Sequence, residues 1–171
     1  IVEVDLGPAS VVGRHVFYNG SEWDDDRSAA DASDDAALAA APGQTQEAHW
    51  GKAALLPGQT ASFQNYTSYS KGINGIMIDV KNLADPDSLS LDDFEFRTGN
   101  GGDPSTWPLA PRPISDLAAH VRVGEGNDGS DRITILWNDG AIINSWLQVT
   151  VKATENTGLV ESDVHYWGNS I

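Results

Sequence analysis

The stretch Trp146-Leu147-Gln148-Val149-Thr150-Val151-Lys152 decides the fold. Leu147, Val149 and Val151 alternate with Trp146, Gln148, Thr150 and Lys152. An extended chain would put the aliphatic set on one face and the polar and aromatic set on the other. The same period of two recurs through the sequence. Asp131 to Trp137 sets Ile133, Ile135 and Trp137 against Arg132, Thr134 and Leu136. Gly72 to Val80 sets Ile76, Ile78 and Val80 against Met77 and Asp79, and Phe94 and Phe96 alternate with Glu95 and Arg97. Ser10 to Tyr18 reads as a strand ending at the turn Asn19-Gly20. Gln59 to Phe63 is short and β-prone, and Val164 to Trp167 closes the chain. Some eight half-buried strands bounded by Gly, Pro, Asn and Asp predict an all-β, antiparallel β-sandwich, jelly-roll-like in character.

One segment departs from that pattern. Ser28 to Ala41 is mostly Ala and Asp, with Leu38 near its end and Pro42-Gly43 after it. Alanine favours helix and early aspartates suit a helix N-terminus, so one short surface helix is expected. Gln44 to Lys52 reads as a loop, and Ser115 to His120 as a single turn.

Charge and composition exclude whole classes. The 171 residues carry 25 acids against 10 Lys and Arg, a formal net charge of -15. Phosphate neutralisation needs a basic footprint, so no nucleic-acid partner is expected, nor docking on an anionic membrane surface. The apolar runs fall far short of the roughly 20 residues of a membrane span, so no membrane insertion is expected. The absence of cysteine removes disulfides, zinc-thiolate sites and a Cys nucleophile. The length suits a single module over residues 1–171, read as a processed protein or a domain excised from something larger.

The acids are concentrated. Glu22, Asp24, Asp25, Asp26, Asp31, Asp34 and Asp35 lie within one short stretch. Such carboxylates repel one another unless a cation sits among them, and Ca²⁺, which takes six to eight oxygens, is the natural one. Asp24, Asp26, Ser28 and Asp35 fall at positions 1, 3, 5 and 12 of a loop, but Ala29 stands where an EF-hand needs Gly. A structural Ca²⁺ site built from Asp24, Asp26, Asp31, Asp34 and Asp35 is therefore expected. The alternative is a solvated acidic face with a capping Asp. Glu125 to Asp131 reads as a hairpin tip, with a second calcium loop as its alternative.

Six Trp is a high number for this length. Trp137 continues an aliphatic face and belongs to the core. Trp146 shares the opposite parity with Gln148, and if the strands are neighbours that face could also carry Met77, Asp79, Glu95 and Arg97, the alternative being a Trp covered by a loop. Sugar rings stack C–H faces on aromatic rings and need planar amide, carboxylate and guanidinium partners for their hydroxyls, so this mix reads as a glycan-binding surface. Trp107, Trp50, Tyr66 and Tyr69 are loop or strand-end aromatics, candidates either for a second platform or for plugging the core. Catalytic patterns are weak: the four His occur singly, and no G-x-S-x-G elbow is present. Paired carboxylates abound, but in turns where solvent keeps them ionised.

Several segments together resemble a known module. They include Gly13-Arg-His-Val-Phe-Tyr-Asn-Gly-Ser21, Asp34-Asp-Ala-Ala-Leu38, Ala54-Leu-Leu-Pro-Gly-Gln-Thr60 and Asn65-Tyr-Thr-Ser-Tyr-Ser-Lys-Gly-Ile-Asn-Gly-Ile-Met-Ile-Asp79. Phe94-Glu-Phe-Arg97, Trp146 to Val151 and Asp163-Val-His-Tyr-Trp-Gly-Asn169 complete the set. The chain resembles a carbohydrate-binding-module-like β-sandwich of large secreted proteins of planctomycetes and marine bacteria. The resemblance implies an extracellular, non-catalytic domain tethered to catalytic or dockerin-like domains and binding a polysaccharide such as a marine algal galactan. Ala39 to His49 is an insertion relative to that pattern. Two other readings stand beside it, a structural or adhesion spacer and a small polysaccharide hydrolase or lyase.

Overall fold

The computed structural model describes residues 7–39 and 51–171. Among them run eight strands: β1 (Ser10–Val16), β2 (Tyr66–Thr67), β3 (Gly75–Lys81), β4 (Phe94–Gly99), β5 (Val121–Arg122), β6 (Asp131–Leu136), β7 (Trp146–Val151) and β8 (Asp163–Asn169). They form two four-stranded sheets, β1-β3-β6-β5 and β2-β8-β7-β4. Every pairing is antiparallel except the short parallel one of β2 with β8. The chain is all-β, as its alternation predicts. Gln59 to Phe63 is the exception, for it forms no strand and its run ends in a 3₁₀ turn, Phe63–Asn65.

The two sheets share one core. The first contributes Ile76, Ile78, Val80, Ile133, Ile135 and Trp137, the second Phe94, Phe96, Leu147, Val149, Val151 and Trp167. These are the aliphatic and aromatic sets that the period of two assigned to one face of each strand. Register locks them: Val149 lies opposite Phe96 on one side and His165 on the other. A slip of one residue in a strand would turn its core side chains to the opposite face of the sheet. The Phe96 ring meets Trp137 edge-on across the sandwich, centroids 5.1 Å apart, and the Trp137 indole N–H donates to the Pro111 carbonyl at 2.9 Å.

The outer faces differ. On the first sheet, Phe17, Met77 and Leu136 are roofed by Ala37 and Leu38. The roof comes from the Ala/Asp segment, which does not form the expected α-helix. It makes a 3₁₀ helix, Ala32–Ala37, and turns extended at Leu38. Tyr18 N–H donates to Ala37 O and Ala39 N–H to Val16 O, so the exit from the helix runs along the edge of β1. A stripe of only Ala and one Leu is too small to drive a longer helix, and pairing with β1 gives its backbone another partner. Residues 40–41 of the expected helix lie outside the described residues. Glu125 to Asp131 is the connection of the β5–β6 hairpin, with Gly126 N–H donating to Ser130 O at 2.8 Å.

Candidate functional site

The outer face of the second sheet is open. Trp146 and Gln148 point outward from β7, opposite Gly99 and Arg97 of β4 and opposite Gly168 and Tyr166 of β8. Both glycines make room for indoles. A Cβ on Gly99 would sit 2.5 Å from the Trp107 ring, and one on Gly168 would sit 3.2 Å from the Trp146 ring. The Trp107 indole thus lies on bare backbone where any other residue would lift it, while a Cβ on Gly168 would meet Tyr66 Cβ first, at 2.7 Å, and then crowd Trp146. Trp107 is brought there by its own segment. Thr98 N–H donates to Pro108 O and Ala110 N–H to Phe96 O, so residues 107–110 fold back along β4.

A cleft of about 420 Å³ results. Trp146 and Tyr166 form its floor. Leu55 to Gln59 form one wall, and Asn100, Gly101, Pro104 and Trp107 the other. The first wall is fixed by a two-way backbone pairing of Leu55 with Tyr166 at 2.9–3.0 Å. The polar groups are few and set. Gln148 donates through Nε2 to the Tyr166 hydroxyl at 3.0 Å, so the phenol keeps its proton to donate. Gln59 accepts from Leu56 N–H and Asn100 donates to Asn144 O, each spending one end of its amide on the protein. Among the described residues no charged side chain lines the cleft.

The expected glycan-binding set is partly assembled. Trp146, Gln148, Glu95, Arg97 and Trp107 share this side of the second sheet. Arg97, however, is engaged: Nε donates to Glu95 at 2.7 Å and Nη1 to the Trp107 carbonyl at 2.7 Å. It holds Trp107 in place instead of reaching into the cleft. Asp79 is elsewhere. It lies fully buried on the outer face of the first sheet, hydrogen-bonded to Arg132 through both oxygens at 2.8 Å and to His15 at 2.9 Å. Burial opposes its charge, yet the bonds from Arg132 and His15 outweigh it and hold the carboxyl below the usual range. Tyr69 lines a separate hollow of about 200 Å³ with Tyr18, Trp23, Lys52, Phe63 and Ser68. Trp50 lies outside the described residues. Tyr166 was missed, although its alternation with the core residue Trp167 carries the signal. The Leu55–Gln59 wall left no pattern to read.

The acidic run divides just as sharply. Asp35 pairs with Arg122 at 2.6 Å and with Arg132 at 3.0 Å, pinning the 3₁₀ helix to the first sheet. Asp31 caps that helix, accepting from Ser33 N–H and from Arg27, and is held at about 2, chiefly by the Ser33 hydrogen bonds. Asp26 is exposed in a left-handed turn. Asp24 and Asp34 are the buried pair, both 0% exposed. Each spends one oxygen on backbone: Asp24 Oδ2 accepts from Gly20 N–H at 2.7 Å, Asp34 Oδ2 from Asp31 N–H at 3.1 Å. The other oxygen of each has no protein partner. Burial pushes Asp34 up to about 7, helped by the charges of Asp31 and Asp24, and burial also raises Asp24. No group of three or more His, Asp or Glu side chains able to hold a metal occurs among the described residues, so Asp26, Asp31 and Asp35 do not join this pair.

Among the described residues no helix is long and apolar enough to cross a membrane. The chain matches no protein-family model, no curated protein and no solved structure.

Proposed function

We propose that this chain is a non-catalytic polysaccharide-binding module that holds sugar rings in the cleft of the second sheet. The observation that carries the reading is the pair of indoles lying on glycines, with Tyr166 between the walls of an uncharged trough. Stacking on Trp146 would hold the ring, while the Tyr166 hydroxyl and the amides of Gln59 and Asn100 would meet its hydroxyls. The uncharged lining, inside a chain of net charge -15, favours a neutral stretch of sugar over a sulfated one. A binding role is favoured over hydrolysis because, among the described residues, the lining holds no acid to protonate a leaving oxygen. On the resemblance given above the module acts outside the cell, with a structural Ca²⁺ steadying the Asp-rich segment.

The test is affinity electrophoresis in gels containing neutral and sulfated polysaccharides. Trp146→Ala should abolish retention on the neutral polymer and leave the melting temperature nearly unchanged, because Trp146 is only half-buried. Retention that survives the substitution would move the site elsewhere. A wild-type chain that binds no glycan would favour the spacer reading.

A further inference from the structure

Four buried side-chain oxygens without a protein partner come from one short region: Asn19 Oδ1, Ser21 Oγ, Asp24 Oδ1 and Asp34 Oδ1. All four residues are more than nine-tenths buried. Unpartnered polar groups of this kind are uncommon in folded proteins, and two of these belong to carboxylates, where the cost is highest. The elements that carry them pack together. The turn Glu22–Asp24 lies against the helix Ala32–Ala37, and the Ser33 hydroxyl reaches back to the Asp24 carbonyl. Asn19 is held from behind: Asn74 exchanges hydrogen bonds with its backbone, and its own Nδ2 donates to Ser28 O. That leaves the Asn19 amide oxygen as an acceptor.

Neighbouring cations do not answer these oxygens. Arg27 is on Asp31, Lys71 is on the Gly20 carbonyl and Asp139, and Arg122 and Arg132 are on Asp35. A set of two carboxylates, one amide oxygen and one hydroxyl, with no nitrogen or sulfur, suits a hard cation that accepts many oxygens. We infer that Asn19, Ser21, Asp24 and Asp34 form a Ca²⁺ site that ties the turn after β1 to the helix roofing the first sheet. This rests on the calcium part of the proposed function, replaces the wider Asp set expected from sequence, and is independent of glycan binding.

The chelator-treated chain is melted with and without Ca²⁺, and with Mg²⁺ for comparison. Ca²⁺ should raise the melting temperature saturably, and Mg²⁺ less. Asp24→Asn and Asp34→Asn should each weaken Ca²⁺ at least about tenfold, whereas Asp26→Asn should leave it within about twofold. Should the Asn variants fail to fold, Tb³⁺ tests the wild type directly. Its luminescence, excited through the indoles, should be displaced by Ca²⁺ and dimmed by Trp23→Phe, with the calcium shift kept. A wild-type melt indifferent to Ca²⁺ overturns both the site and the calcium reading. A calcium shift that survives both Asn substitutions, or Tb³⁺ emission indifferent to Trp23→Phe, overturns this ligand set alone.

Discussion

Arg132 is among the most deeply placed charges on the first sheet, and it is held by a carboxylate on either side, Asp79 and Asp35. Removing Asp79 leaves that buried guanidinium with Asp35 alone, through one nitrogen, and takes the carboxylate from His15 as well. Asp79→Ala should therefore cost about 3–5 kcal/mol in urea unfolding, while Asp79→Leu with Arg132→Met should recover much of it, because no charge is then left alone. Asp163 offers a pH handle. Burial opposes its ionisation, but the bonds from His165 and Arg14 win and hold it at about 2. An unfolded aspartate titrates near 3.9, so the folded state gains stability from Asp163 above about pH 4 and loses it as pH falls toward about 2. Asp163→Asn should shrink that acid-side loss in unfolding measured from pH 5 to pH 2. At this scale the sequence located the acidic cluster but not its division of labour. Asp35 is taken by Arg122 and Arg132, 87 and 97 residues away, and no local pattern announces such partners.

Strands were the legible elements. In β7 and β6 the alternation picks out the side chains that enter the shared core, Leu147, Val149, Val151, Ile133 and Ile135, although β6 is buried on its other face as well. Asp79 had the right parity and the wrong sheet: alternation says that Asp79 opposes Ile78, not that β3 lies across the sandwich from β7. The walls of the cleft were hidden for a related reason. Residues 55–59 and 107–110 reach the second sheet by backbone bonds, which any sequence can make. The glycines are where strand and wall meet. Gly99→Ala puts a methyl inside the contact distance of the Trp107 ring, so the indole must lift and the wall with it. Overpacking of this kind should cost about 1–3 kcal/mol, and affinity electrophoresis should show weakened retention even though no cleft side chain has been removed.

Across the whole molecule the charge of -15 acts as a field. Its reach is about 30 Å at 0.01 M salt and about 10 Å at 0.1 M, so self-repulsion is felt across the domain only in dilute buffer. Scanning calorimetry should find a higher melting temperature in 0.15 M than in 0.01 M sodium chloride. Retention on a neutral polysaccharide should be indifferent to that change, while any retention on a sulfated one should fail first in dilute salt.

The roof over the first sheet has a further consequence. With Ala37 and Leu38 seated on Phe17 and Met77, part of the first sheet's outer face is covered by the chain itself, and the described cleft lies on the second sheet. On the proposed reading each copy would offer one cleft, and a long polysaccharide would be gripped at a single point. Two copies joined by a linker matched to the spacing of their sites would gain about 10²–10⁴ in avidity without any new contact. Modest affinity in a single copy is what such an arrangement calls for, since it lets each grip release and rebind while the pair stays attached.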